Sequence, residues 1–591
     1  MTLENHRRNS CATSIGTPSG FNRCPQSSES APLVAAEAGS PIGAEGPIHR
    51  RQVIKNLATL AYAAALPTSI GSRAQSAAAG SSTLVIATPA TPQSLDCNFD
   101  GSLGTIEAIA ALYDNLLEFR KIPDPGHPQV SREDIADHPD LPTGMAVQGK
   151  LAQSFELDPA GKYIRFQLRQ GVKSNWGNEL TAEDVKWTWD RKFGLGAIGA
   201  FYLSTLGLED KNGVKVEGRY TVSINLENPN PLLAKLQPNL FLPIYDSTKC
   251  KAVSTVDDPW ARKFIENNSA GFGPYRLDQL QRGQQAVFKA RPDYHLGKPS
   301  IETVIFREVP TSAIRASLLQ GGAVDIAQYL QPLEIIKLRG DRNVAIDSVD
   351  SSSMIWVELN TNIAPFGDQR VRQAMNFAFP RQDVLRTVFQ GLGSPLNGCM
   401  PNIYAGFTDK FWQYKYDPDV ARALLNDAGL TSGFTTSLAY NAGDPVQEPI
   451  AILFQTALRE IGVELELRKI PASTFYNAVS ERKQPMIFYA DSPWCPDIGY
   501  SMTLYFNSAS FINYSNYKND RVDALIRDTA RTNDQAKRLE MMTEAQQIVM
   551  SEAPWIFIAY PGYHLARRAN LKGFTYYTSN NIRFQDFTRD E

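Results

Sequence analysis

The chain has 591 residues, with 59 Lys+Arg against 62 Asp+Glu and 6 His, for a net charge of −3. That balance excludes a broad cationic footprint for nucleic acid, and 43% hydrophobic with 20% charged residues excludes wholesale disorder. The 6 cysteines contain no C-x-x-C pair and are too sparse for a disulfide scaffold, and no apolar run reaches the roughly 18 residues of a membrane span.

In chain order, residues 1–48 are rich in Ser, Pro, Gly and Ala without periodicity and read as a disordered N-terminal extension. Residues 49–79 then run through Arg50-Arg51, an apolar stretch and the small-residue zone Ala74 to Ala79, the three parts of a secretory signal. The paired arginines resemble a twin-arginine export signal, so the expected location is periplasmic, a compartment that permits disulfides.

The remainder mixes strand and helix signals. Residues 83–87 are β-rich, and 105–119 carry apolar residues at helical spacing. Residues 163–168 alternate as a half-buried strand, and Thr181 with Glu183 and Asp184 opens a helix in capping-box style. Residues 220–226 form a second alternating strand, stopped by Asn228-Pro229. Beyond residue 300 the expected elements are a strand at 301–307, a helix at 312–320 and a short strand at 324–327. Helices at 365–379, 417–428 and 450–461 follow, with a strand at 463–467 directly after Gly462. Residues 522–548 read as one long helical region, and 554–560 as a buried strand. Strands alternating with helices point to an α/β fold.

Several short patterns recur in one order: Leu180-Thr181-Ala182-Glu183-Asp184-Val185, Gly271-Phe272-Gly273-Pro274-Tyr275, Arg291-Pro292-Asp293-Tyr294, Gln320-Gly321-Gly322, Val371-Arg372-Gln373-Ala374-Met375, Tyr416-Asp417-Pro418-Asp419 and Ala553-Pro554-Trp555-Ile556. The series resembles the family-5 extracellular solute-binding proteins of ABC transporters, the oligopeptide-, dipeptide- and nickel-binding class. The resemblance implies a two-lobe periplasmic-binding-protein fold, class II-like with an extra subdomain in the first lobe. It implies lobe 1 at 82–346 plus 560–591, lobe 2 at 347–559, and two hinge strands between them. It also implies a monomeric receptor without a cofactor that captures a peptide-like solute by hinge closure. The solute then passes to an ABC permease driven by its ATPase.

In peptide-binding relatives an aspartate of the second lobe pairs with the ligand's amino terminus, and Asp491 resembles that residue, within the segment Tyr489-Ala490-Asp491-Ser492-Pro493-Trp494. The Asp-Pro that normally follows is altered here to Cys495-Pro496-Asp497. Dipeptide binders also present an arginine to the ligand carboxylate, and residues 439–448 contain none, which argues against strict dipeptide specificity. Tyr489, Trp494, Tyr440, Asn441, Trp356 and Asn360 are wall candidates from the second lobe, and Tyr113 and Trp176 from the first, because such pockets mix aromatic faces with a few polar groups. Core positions are the alternative for Tyr440 and Trp356. Cys97 and Cys250 fall in one lobe and Cys399 and Cys495 in the other, so one disulfide per lobe or four buried thiols are the two expectations.

No hydrolase motif or metal-ligand spacing of His is present, so neither catalytic nor metal-binding residues are named. A sugar, an opine or a metal chelate in the same fold, or a chaperone or sensor without a transporter, are the rival readings.

Overall fold

A computed structural model describes residues 82–442 and 444–590. The N-terminal extension and export signal expected at 1–48 and 49–79 lie outside the described residues. Two mixed sheets organise the chain. In the first, the strand order is Tyr275–Gln281, Gln285–Ala290, Thr303–Glu308, Thr83–Thr88, Ile326–Ala327, Tyr563–Arg568, Val344–Val349. In the second, it is Gly393–Pro395, Trp555–Pro561, Met354–Leu359, Met486–Asp491, Phe434–Asn441, Val463–Ile470. Each sheet has a parallel centre: Thr83–Thr88 runs parallel to Thr303–Glu308 and Ile326–Ala327, and Phe434–Asn441 parallel to Val463–Ile470 and Met486–Asp491.

Next to each parallel trio stands one antiparallel strand that has just arrived from the other sheet: Tyr563–Arg568 in the first and Met354–Leu359 in the second. This exchange is the two-lobe, class II-like arrangement of the periplasmic-binding-protein fold. The chain crosses over at residues 350–353 and returns at Gly562, between paired neighbours on both sides. The crossing strands are enclosed because both faces of their sheet are covered: Met354–Leu359 is buried at every position. At the return crossing the backbone approaches closely enough that a Cβ on Gly562 would stand 2.8 Å from His564 Nε2.

A four-stranded antiparallel sheet, Ala152–Leu157, Tyr163–Leu168, Thr221–Asn225, Val214–Gly218, forms an extra layer on the first lobe. The helix Ala182–Leu195 packs on it, opened by the expected capping box of Thr181 and Asp184.

Three predicted helices are shorter than their apolar spacing suggests, each for a local reason. The helix at 105–119 is observed as Leu103–Leu112; Tyr113 turns extended and Leu117–Phe119 is a strand. The helix at 365–379 begins at Gln369, where the Asp368 side chain accepts the Arg370 N–H. The region 522–548 is two helices, Asp520–Thr529 and Gln535–Glu552, the second capped by Asp534. Among the described residues no helix is long and apolar enough to cross a membrane.

Candidate functional site

In an open parallel sheet, ligands meet the carboxyl ends of the strands, where the loops leave. In the second sheet those ends carry Asp491 and Tyr440-Asn441; in the first they carry Gln328 and Tyr329. Residues from both sheets converge here with the two crossings and the C-terminal segment 577–583.

Asp491 closes the strand Met486–Asp491 and is half-buried. Its Oδ1 accepts the Ser492 N–H at 2.8 Å and its Oδ2 the Tyr505 hydroxyl at 3.2 Å. Burial outweighs these two hydrogen bonds and pushes its pKa up to about 7. It has no ion pair among the described residues, so the protein itself leaves the charge of this carboxyl unmatched. Tyr489, two residues earlier on the same face, makes edge contacts with Trp356 at 5.4 Å and Tyr514 at 5.0 Å. Trp494 reaches across: its ring lies 4.5 Å from Phe241 of the first lobe, and its carbonyl accepts Asn239 Nδ2 at 2.9 Å. Tyr489 and Asp491 thus share one face at the strand end, with Trp356 packed behind Tyr489, while Trp494 lies against the first lobe.

The remaining predicted wall residues are mostly enclosed. Trp356 is fully enclosed, stacked 4.2 Å from Trp555, so it is core and not wall. Asn360 is also buried; its Nδ2 donates to the Arg482 and Gln484 carbonyls, tying a loop. Tyr440 is buried with its hydroxyl on Glu448, while Asn441 holds the strand end, its N–H donating to Gln447. Tyr113 is buried against Tyr245, beneath the Gly271–Gly273 turn, where a Cβ on Gly273 would stand 2.5 Å from Tyr113 N. Trp176 is 47% exposed, with Lys249 Nζ 3.7 Å from its ring centre. The disulfide expectation is corrected: Cys97, Cys250, Cys399 and Cys495 are all free and buried. Cys97 Sγ lies beside the Tyr245 hydroxyl at 3.3 Å and Cys399 Sγ beside Met502 Sδ at 4.0 Å, so the thiols behave as small core groups.

Several functional candidates were not named from the sequence. Asn580 and Tyr329 both adopt positive φ, 54° and 50°, and touch through Tyr329 Oη and the Asn580 carbonyl at 3.4 Å. Asn580 Nδ2 also donates to Ser353 at the first crossing and to Ser492 beside Asp491. Backbone strain of this kind is retained where surrounding structure over-determines it, and here it sits where the lobes meet. The Ser579-Asn580-Asn581 triplet, suited to left-handed backbone, was the available signal.

Lys235 of the first lobe meets Asp497 of the second at 2.9 Å, and Arg538 clasps the same carboxylate at 2.8 Å and 3.1 Å. Burial opposes the charge on Asp497, but Arg538 and Lys235 outweigh it and hold the carboxyl far below its usual range. Asp497 also caps the helix Ile498–Phe506, accepting the Gly499 and Tyr500 N–H groups.

Between the lobes lies a cavity bordered by Ile106, Glu133, Phe241, Trp494, Ser579 and Arg583. Its space for water-molecule centres is about 20 Å³, room for one or two waters. Among the described residues no group of three or more His, Cys, Asp or Glu could hold a metal ion.

Residues 146–513, well over half of the chain, match the family model described as bacterial extracellular solute-binding proteins, family 5 Middle. The chain is 28% identical over 440 residues to the probable D,D-dipeptide-binding periplasmic protein DdpA of Escherichia coli K12, covering 73% of this chain and 82% of that protein. Its fold matches that of the periplasmic binding protein DppA from Helicobacter pylori in complex with the peptide STSA, with a TM-score of 0.75 at 22% identity over 86% of this chain and 98% of that one. It also matches AgaA from A. tumefaciens R10 in complex with agropinic acid, with a TM-score of 0.72 at 20% identity over 86% and 100% of the two chains. On the family match, and on two lobes exchanging strands around a shared cleft, the chain belongs to the family-5 bacterial extracellular solute-binding proteins.

Proposed function

We propose that the chain is an exported receptor that captures a peptide or peptide-like amine between its two lobes and delivers it to an ABC permease. The observation that carries this reading is Asp491, a cleft carboxyl without a cationic partner among the described residues. An ammonium seated there would supply the missing charge through a charge-assisted hydrogen bond. The peptide-binding relative and the peptide-bound solved structure support the substrate class. The lobes, 82–346 with 560–591 and 347–559 apart from a few residues at each crossing, would open and close about residues 350–353 and Gly562, ligand favouring the closed form because only that form engages it from both sides. A permease and its ATPase are the partners this role requires, and the receptor works as a monomer without a cofactor.

Titration gives the reading a signature. A carboxyl raised to about 7 is protonated at pH 5, and an ammonium ligand must displace that proton. Peptide affinity therefore rises from about pH 5 to about pH 7, by roughly tenfold per pH unit below the Asp491 pKa. Asp491→Asn lowers affinity on the order of 10- to 100-fold at neutral pH and flattens that profile. Titration calorimetry against di- to tetrapeptides checks both; binding by sugars, opines or metal chelates alone, or affinity indifferent to Asp491→Asn, contradicts the peptide reading.

Export through the twin-arginine route is proposed on Arg50 and Arg51. Cell fractionation of the full chain tests it: replacing both by Lys leaves the protein in the cytoplasm, and unchanged export contradicts that route.

A further inference from the structure

The strand of Asp491 lies on one side of the two crossings, and a second cavity lies on the other. In the second sheet the crossing strands Trp555–Pro561 and Met354–Leu359 stand between the strand of Asp491 and the edge strand Gly393–Pro395. In the first sheet the returning strand Tyr563–Arg568 stands between Ile326–Ala327, which leads to Gln328 and Tyr329, and the edge strand Val344–Val349. Residues of both edge strands, Ser348-Val349 and Gly393-Ser394, border one cavity of about 290 Å³, against about 20 Å³ beside Trp494. That is room for a small solute.

Part of the cavity wall is bonded within the protein. Gln390 and Gly391, successive residues with positive φ of 53° and 76°, lead into Leu392, whose carbonyl accepts the Gly562 N–H at 3.1 Å and His564 Nε2 at 3.2 Å. His564 Nδ1 meets Ser348 Oγ at 2.9 Å, Ser351 Oγ donates to the Pro561 carbonyl at 2.6 Å, and His127 faces Asp124 at 3.5 Å.

Four other groups on the wall have no such partner among the described residues: Arg339 and Asp350 of the first lobe and its crossing, and Ser394 and Asn402 of the second lobe. Arg339 and Asp350 are exposed and oppositely charged, yet they stand too far apart to pair. Asn402 Oδ1 is enclosed and accepts no hydrogen bond. Water satisfies each exposed charge separately, so neither selects a simple ion strongly. A short zwitterion meets both charges at once and can supply the enclosed amide oxygen with a donor.

The position of the cavity fixes the sign of its effect. Rotation about residues 350–353 and Gly562 moves the two sides of the crossings in opposite senses. Parting the lobes at Asp491 brings Val344–Val349 and Gly393–Pro395 together, so the cavity is widest when the cleft is closed. An occupant therefore favours closure.

We propose that this cavity is a regulatory site for a free amino acid, whose carboxylate binds Arg339 and whose ammonium binds Asp350 and Asn402 Oδ1, and that its occupation tightens peptide capture in the cleft. This rests on the hinge closure and peptide capture described above.

The test is calorimetry of di- to tetrapeptides against the full chain, with and without millimolar L-serine. Peptide affinity is expected to rise at least about fivefold with serine, and serine affinity by the same factor with peptide. Acetate and ethylamine, each carrying one of the two charges, leave peptide affinity unchanged. Arg339→Gln abolishes the gain and keeps the wild-type peptide affinity measured without serine. Ser394→Trp, which fills the cavity from the edge strand, tightens peptide binding without serine. Wild-type affinity that serine leaves unchanged or lowers, a gain that survives in Arg339→Gln, or weaker peptide binding in Ser394→Trp overturns the regulatory site and leaves the peptide reading standing. If no peptide binds, serine is titrated alone: binding lost in Arg339→Gln keeps the amino-acid site while the peptide reading falls, and binding absent from the wild type or unchanged in Arg339→Gln overturns both.

Discussion

Replacing Asp497 by Asn is expected to lower the stability of the chain by about 3–5 kcal/mol, because it strips two buried cations of their shared counter-charge. Arg538 is 3% and Lys235 6% exposed at the side chain, so neither can turn to water without moving the backbone around it. The same carboxylate caps the helix Ile498–Phe506, and the asparagine keeps an oxygen for that cap, so the loss is electrostatic rather than a helix defect. Lys235→Met is the informative contrast. Arg538 and Asp497 belong to the same lobe and stay paired, while the contact between lobes is lost. Lys235 regains water when the lobes separate, so its pairing with Asp497 contributes only to the closed form. Urea unfolding should therefore show a large loss for Asp497→Asn and a small one for Lys235→Met, whereas peptide affinity falls in Lys235→Met. Equal losses of stability in the two variants would contradict this division of roles.

Trp555→Ala is expected to cost about 3–5 kcal/mol through the cavity it opens in the second sheet. Trp555 and Trp356 are stacked at 4.2 Å with 20° between planes, both fully buried on neighbouring crossing strands. Their indole N–H groups converge on one buried carboxyl, Glu358, at 2.7 Å from Trp356 and 2.9 Å from Trp555. Burial outweighs these bonds and raises the Glu358 pKa to about 8. Unfolded, the group titrates near 4.5, so the folded state holds the extra proton between those values and stability declines as pH rises from 4.5 towards 8. Glu107 of the first lobe, likewise raised to about 8 by burial, adds to the same slope. Glu358→Gln should cost less than Trp555→Ala, about 1–3 kcal/mol, because its amide cannot accept from both indoles. It should also remove part of the decline, read from melting temperatures between about pH 5 and about pH 9. An unchanged slope would mean that Glu358 keeps an ordinary pKa.

Local features were the legible part of the sequence. The strand Tyr163–Leu168 and the Thr181 capping box match their predicted positions, because alternation and capping are set by near neighbours. Helix ends were less legible where a polar cap such as Asp368 or Asp534 interrupts an apolar spacing that runs on past it. The sequence leaves Trp356 open between wall and core; Met354–Leu359 proves buried at every position, and in such a strand alternation carries no information about which way a side chain points. The cysteine pairing was argued from lobe membership alone, which does not fix the distance between two thiols within a lobe. The cleft's remaining charges depend on contacts remote in sequence: Lys235 meets Asp497 across 262 positions, and Arg583 meets the cavity only once the C-terminal segment has returned to the first lobe.

Two lobes joined at residues 350–353 and Gly562 are expected to close on a peptide. Solution X-ray scattering of the purified chain, with and without saturating di- to tetrapeptides, tests it most directly. A smaller radius of gyration is expected with peptide, and no such contraction in Asp491→Asn at the same peptide concentration. Scattering curves that superimpose with and without a peptide shown by calorimetry to be bound would contradict closure as the binding event.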